Sequence, residues 1–265
     1  MYATNYHRPS SVDEAAKLLS GEAKILAGGQ TLLPAMKLHL AGPSDLVDIR
    51  RIAALKGIRM DGSRLVIGAA TTHFEVAHSA EVRKTIPALA RLAGWIGDPA
   101  VRHVGTIGGS IANNDPAADY PAGLLGLGAT VVTNRREIKA DDFFTGLFST
   151  ALEDNEIVTA VRFPVPKRAG YEKLRHPASR FALVGVMVAE TAGGIRVAVT
   201  GSGANGVFRA REFEAALARN FAVSALDDLA IATDGIMSDI HGDAAYRAHL
   251  IKVIAQRAVD ACSPV

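Results

Sequence analysis

IRVAVTGSGANGVFRAREFEAALA, Ile195–Ala218, is the stretch on which the reading of the fold turns. Its GSGANG, Gly201–Gly206, spells G-x-G-x-x-G between a strand-like run and a helix-like one, the fingerprint of a dinucleotide held at a helix N-terminus. That fold needs parallel strands on both sides of the helix that follows the glycines. Here the preceding strand is joined to FALVGVMVAE, Phe181–Glu190, only by TAGG, Thr191–Gly194. So short a link forces an antiparallel pair, because parallel neighbours need a crossover of about a dozen residues or more. No strand follows VFRAREFEAALA, and Asp227 and Asp228 lie in SALDDLAIA, a helical context rather than a second strand tip. GSGANG therefore reads as a plain connection between strand and helix.

Working outward, YEKLRH (Tyr171–His176), FALVGVMVAE and IRVAVTG form three strands in series, and the period beyond Gly206 is helical. Strands followed by helices predict a three-stranded antiparallel sheet with a helical layer. FPVPKRAG, with Pro164 and Pro166, marks the boundary before it. At the other end, SVDEAAKLLSG has Ser11 three residues before Glu14, a capping-box spacing, and EAKILAGG reads as a buried strand entering a glycine turn. TLLPAMKLHLAG is a short helix with Thr31 as N-cap, and PSDLVDI a further strand. From Gly57 a hairpin at Asp61-Gly62 is followed by helical spacing over residues 73–97. VRHVGTIGGSIAN then reads as strand, PAGLLGLGA as a helix, and TVVTNRREIKA and EIVTAVRFP as strands. The expected organisation is α+β: a small βαβ lobe over 1–55, a larger mixed lobe over 56–166 and a C-terminal domain over 167–265.

The 29 Lys and Arg residues against 27 Asp and Glu leave no basic block to displace counterions, which argues against nucleic acid as a partner. One cysteine, Cys262, forbids an internal disulfide and an iron–sulfur cluster, which needs about four thiolates. No run approaches the roughly 18 apolar residues of a membrane span. The N-terminus lacks a signal-peptide core, so a cytoplasmic protein is expected. The histidines are scattered, and no metal site is expected.

Two other glycine stretches carry chemistry. AGGQTLLPAMK, Ala27–Lys37, places Gly28 and Gly29 between a strand and a helix start, where absent β-carbons let a phosphate approach unpaired N–H groups. An ordinary strand-to-helix turn has the same spelling. VGTIGGSIANNDPAADYPA, Val104–Ala122, holds Gly108-Gly109 among small hydrogen-bonding residues. Thr106 and Ser110 suit phosphate or ribose oxygens there, and Asp119 suits sugar or ribityl hydroxyls. A nucleophile elbow at Ser110 fails because Ala112 stands where the second glycine belongs. Two cradles from different lobes suggest an extended dinucleotide lying between them, and FAD has the length to require both.

AGGQTLLPAMK and TIGGSIANNDPAADYP closely resemble the two FAD-binding motifs of the medium, flavin-carrying subunits of molybdenum hydroxylases. That family includes aerobic CO dehydrogenase, and the flavin domain of xanthine dehydrogenase is similar. The likeness continues through YHRPSSVDEAAKLLSG, EIVTAVRFPVP, YEKLRHPASRFALVGV and DAAYRAHLIKVIAQRAV. The resemblance implies a two-lobed FAD-binding domain of PCMH type and a C-terminal domain with a three-stranded sheet. It implies cofactor contacts from Ala27, Gly28, Gly29, Gln30, Thr31, Leu32 and Leu33, and from Thr106, Ile107, Gly108, Gly109 and Ser110. It places Asp119 toward the FAD hydroxyls and Lys173 close to the isoalloxazine. Ile157 falls where the family often has Leu, Ile96 where xanthine dehydrogenase is aromatic, and Ser110 where Asn is common. The implied partners are a [2Fe–2S] small subunit and a molybdopterin large subunit, in a dimer of heterotrimers. The implied activity is oxidoreductase: electron transfer from the iron–sulfur subunit through FAD to a quinone, NAD or oxygen, with no catalytic side chain. A self-sufficient FAD-dependent oxidase or reductase is the competing expectation; it needs acid and base residues that the sequence does not display.

Overall fold

The computed structural model describes residues 1–264. Its first unit is a parallel sheet, β1 (Asn5–His7), β2 (Lys24–Leu26) and β3 (Asp45–Asp48), in the order β1-β3-β2. Helices α1 (Val12–Leu18) and α2 (Leu32–Lys37) make the crossovers. Ser11 caps α1 by accepting from the Glu14 N–H, while the Glu14 carboxylate turns to the N–H and hydroxyl of Ser10. Ala15, Val47, Ile52 and Leu55 form the local core. The sequence reading missed β1, whose three residues carry little alternation.

The second unit is a five-stranded antiparallel sheet, β4 (Ile58–Asp61), β5 (Arg64–Gly68), β6 (Thr130–Thr133), β7 (Glu137–Lys139) and β10 (Val158–Pro164), in the order β4-β5-β10-β6-β7. Between β5 and β6 run α3 (His73–His78), α4 (Ala80–Thr85), α5 (Pro87–Gly94), α6 (Pro99–Val104), α7 (Ile107–Asn113) and α8 (Asp119–Leu127). A short α9 (Ala140–Phe143) and the hairpin β8 (Phe144–Gly146) and β9 (Ser149–Thr150) lie between β7 and β10. Leu65, Ile67, Leu89, Leu92, Ile111, Val131 and Phe163 fill one core between sheet and helices. Residues 101–113 are the main departure from expectation: they are helical, in α6 and α7, not a strand.

The third sheet comprises β11 (Arg168–Arg175), β12 (Ala182–Thr191), β13 (Gly194–Thr200), β14 (Phe208–Arg209) and β15 (Ser263–Pro264), ordered β14-β13-β12-β11-β15. The three long strands are the expected ones, all antiparallel, and two two-residue strands extend them to five. Helices α10 (Arg211–Arg219) and α11 (Ala244–Asp260) cover one face through Val184, Val186, Val188, Val197 and Val199. The alternate residues Met187, Ala189 and Ala198 join the core of the second unit instead, beneath α8. Residues 227–243 form no regular helix, against the helical period read there. GSGANG follows the antiparallel β12–β13 pair: the Gly201 N–H bonds Pro116 O, and a β-carbon there would meet Ala182 O at 2.4 Å. Gly201 and Gly203 serve close packing, and Gly206 a left-handed turn at φ +96°.

Gly170 in β11 presses on α11, where an added β-carbon would lie 2.1 Å from Ala258 O. Backbone faces backbone there, so neither side can yield cheaply. Gly170→Ala is expected to lower stability by about 1–3 kcal/mol through overpacking, measured as a shift of the urea unfolding midpoint.

Candidate functional site

A cavity of about 1130 Å³ opens between the carboxyl edge of the first sheet, the α6–α7 corner, the 153–157 loop and the 179–181 turn. Small-molecule pockets usually span roughly 300–1,000 Å³, so this one suits a long ligand.

Ala27, Gly28, Gly29, Gln30, Thr31 and Leu32 line it. Gly29 has φ +69°, the left-handed region that lets the chain leave β2 and enter α2. The N–H groups of Gly28, Gly29, Gln30, Thr31 and Leu32, five in succession, make no hydrogen bond to the described residues. Such a run of unused donors along a cavity wall fits an oxyanion. Thr31 does not act as an N-cap: it is already helical in φ and ψ and its hydroxyl bonds no helix N–H. Leu33 stays off the cavity wall, with its Cδ1 2.8 Å from where a Gly29 β-carbon would stand, and so supports the bend from beneath.

The second diglycine is built differently. Ile107 N–H bonds Thr71 O, Gly108 N–H bonds Ala69 O, Ser110 N–H bonds Thr106 O, and Gly109 N–H bonds the Thr106 hydroxyl oxygen. A main-chain grip on a diphosphate is therefore available at the first bend and not at Ile107–Ser110. Thr106, Gly108, Gly109 and Ser110 still line the cavity, where the two hydroxyl groups remain as donors. Ile107 is fully buried in the core. Glycine is required at Gly108 because a β-carbon would lie 2.6 Å from Ala69 Cβ. The two bends nonetheless meet: a β-carbon on Gly28 would sit 2.6 Å from Gly105 Cα, and one on Gly109 3.4 Å from Ala27 Cβ.

Asp119 opens α8 and reaches the cavity with only 3% exposure. Its Oδ1 accepts from the Tyr171 hydroxyl at 2.5 Å and from Lys173 Nζ at 2.7 Å, while its Oδ2 has no partner among the described residues. Lys173 does not line the cavity; its Nζ also donates to Arg180 O at 3.0 Å. Burial raises the Asp119 carboxyl above its ordinary value and lowers the Lys173 ammonium below its own, and each charge offsets part of the other's shift. Ile157, 1% exposed, and Ile96 both line the cavity.

Sequence reasoning noted Asn113 and Asp115 only as part of a hydrogen-bonding stretch and His73 only as a scattered histidine, and it passed over Lys24, the acidic 153–156 loop and Ser179–Phe181; all line the cavity wall. Asn113 and Asp115 stand inside the motif already quoted; the others converge from distant segments and leave no local pattern. His73 sits behind Gly105, whose notional β-carbon would lie 2.6 Å from His73 Nε2, and its buried Nδ1 has no partner among the described residues. Among the described residues no three His, Cys, Asp or Glu side chains are grouped as metal ligands, and no helix is long and apolar enough to cross a membrane.

Residues 2–166 match the family described as the FAD binding domain in molybdopterin dehydrogenase. The chain belongs to that family. It is 39% identical to the carbon monoxide dehydrogenase medium chain of Hydrogenophaga pseudoflava, across 97% of this chain and 96% of that one. The nicotine 6-hydroxylase medium subunit of Paenarthrobacter nicotinovorans is 33% identical, across 97% and 96%. Among solved structures, the cyanide-inactivated Cu,Mo-CO dehydrogenase superposes with a TM-score of 0.90 at 34% identity, covering 98% of both chains. The chain is thus an FAD-binding oxidoreductase subunit of the molybdenum hydroxylase family.

Two outcomes follow from this geometry. Gly28→Ala forces a β-carbon onto Gly105 and Val104 O, and is expected to weaken FAD retention by about tenfold or more; the flavin-to-protein absorbance ratio after dialysis measures it. Burial, with repulsion from Arg102, lowers the His73 imidazole from 6.5 to about 4. The unfolded chain therefore binds the extra proton between those values, so stability is fully present above about 6.5 and declines as pH falls toward 4. Urea titrations should show wild type losing about 2–3 kcal/mol more than His73→Gln between pH 7 and pH 4.5.

Proposed function

We propose that this chain carries FAD between an iron–sulfur subunit and an external electron acceptor, within an enzyme whose third component holds the molybdopterin and chooses the substrate. The observation that carries the reading is the run of five unused amides from Gly28 to Leu32 on the same long cavity as the Asp119 Oδ2, which has no partner among the described residues. The amides would hold the diphosphate, the Thr106 and Ser110 hydroxyls would hydrogen-bond along it, and Asp119 would accept from a ligand hydroxyl. Ile96 and Ile157 would supply apolar wall and exclude water. Gln30, Thr31 and Leu32 belong to the same grip, with Leu33, Ile107 and Lys173 acting from behind the wall.

FAD, when bound, supplies one- and two-electron chemistry, which the protein tunes by position and field. A chain with a single cysteine cannot ligate an iron–sulfur cluster by itself, so in this reading the clusters belong to another subunit. The medium-chain and subunit names of the relatives agree with that division of labour. The reading includes cytoplasmic placement, a dimer of heterotrimers, and the division of the chain into 1–55, 56–166 and 167–265. The acceptor is a quinone, NAD or oxygen.

Purification from the source organism tests it. A yellow complex containing an iron–sulfur protein and a molybdenum protein is expected, with the flavin reduced only when the iron–sulfur partner is present. A yellow chain that turns over a small molecule alone would replace this reading with a self-sufficient oxidase or reductase. A colourless chain would overturn both.

A further inference from the structure

The carboxyl edge of the parallel sheet carries a second hollow, separate from the flavin cavity and about 260 Å³ in volume. Tyr6 in β1, Arg8 just beyond it, Asp48 at the end of β3, and Arg50 and Arg51 line it. In open sheets of parallel strands, ligands settle outside the carboxyl ends of the strands. The Gly28 bend occupies that position after β2; this hollow occupies it after β1 and β3.

The charges do not cancel. Asp48 is 3% exposed, and Arg50 grips it with both arms, Nε to Oδ1 at 2.9 Å and Nη2 to Oδ2 at 2.7 Å, while the Tyr6 hydroxyl also donates to Oδ2. Burial opposes its charge, but Arg50 and Tyr6 hold the carboxyl at about 2, so it is ionised at neutral pH. One guanidinium is thereby neutralised and fixed in direction, with its Nη1 unbonded among the described residues. Arg8 and Arg51 make no ion pair with the described residues. Three guanidinium groups against one carboxylate leave the hollow with two uncompensated positive charges. Arginine's planar fork matches carboxylate and phosphate oxygens, and a held Arg50 loses little freedom on binding one.

We propose that the hollow formed by Arg8, Arg50 and Arg51 is a second anion site of this chain. It takes a phosphate or carboxylate group, presented either by a free small molecule or by an acidic side chain of a neighbouring subunit. Asp48 and Tyr6 act as its floor, setting Arg50 in place; Arg8 and Arg51 supply the charge.

The test uses the full flavin-loaded chain and the variant Arg8→Gln/Arg51→Gln, leaving Arg50 in place so that Asp48 keeps its partner. Neither altered residue lines the flavin cavity, so flavin content should match wild type and report correct folding. Inorganic pyrophosphate is titrated into both forms by calorimetry at low salt. In parallel, the complex with its co-purifying subunits is challenged with rising salt on a sizing column. Saturable pyrophosphate binding, weakened about tenfold or more in the variant, supports a free oxyanion as occupant. No pyrophosphate binding by wild type, with the variant released from the complex at lower salt, supports a partner's carboxylate. Weak, non-saturating binding equal in both forms, with unchanged assembly, means an adventitious ion only and overturns the proposal.

Discussion

Gly28 and Gly105 meet backbone to backbone, with no room for a β-carbon on the first and the His73 imidazole filling that space behind the second. Everything about the cavity depends on this contact. It seats the glycine bend of the parallel sheet against the corner between α6 and α7, and Ala27 against Gly109, so that segments far apart in the chain share one wall. The amides of Gly28–Leu32 stay unbonded because the chain has left β2 after Leu26 and the first N–H groups of α2 have no carbonyl one turn before them. A side chain wedged into the contact would separate the two units and misplace every donor beyond it.

The opposite wall is held by a buried charge pair. Tyr171 and Lys173 are two apart on β11, hence on one face, and both reach the Asp119 carboxylate at the start of α8. Lys173 also ties the 179–181 turn through Arg180 O. A buried ion pair adds little net stability, but removing one partner strands the other charge, which is strongly unfavourable. Its value here is positional: it aims a carboxylate oxygen into the cavity and fixes the turn beside it.

The fold was legible where chain length alone constrains geometry. A four-residue link could only make an antiparallel pair, and that excluded the misleading glycine fingerprint at Gly201–Gly206. The bend at Gly28-Gly29 was legible because few residues tolerate a strand end turning straight into a helix. Residues 107–113 were misread because two isoleucines favour a strand and two glycines disfavour a helix locally, whereas the Thr106 cap and the approach of Gly108 to Ala69 fix a helix. The amides there look identical in sequence to those at Gly28, and only the fold decides which are already bonded. Lys173 shows the same limit: the resemblance places it close to the isoalloxazine and reveals nothing of its pair with Asp119.

The middle strand of the third sheet belongs to two cores at once. Val184, Val186 and Val188 face α10 and α11, while Met187 and Ala189 face the core of the second unit. Loosening either side therefore strips a neighbour from the other, so the molecule should melt as one calorimetric unit rather than shedding its C-terminal third. A protease nick within residues 227–243 would then leave both fragments associated, each lacking a complete hydrophobic interior without the other.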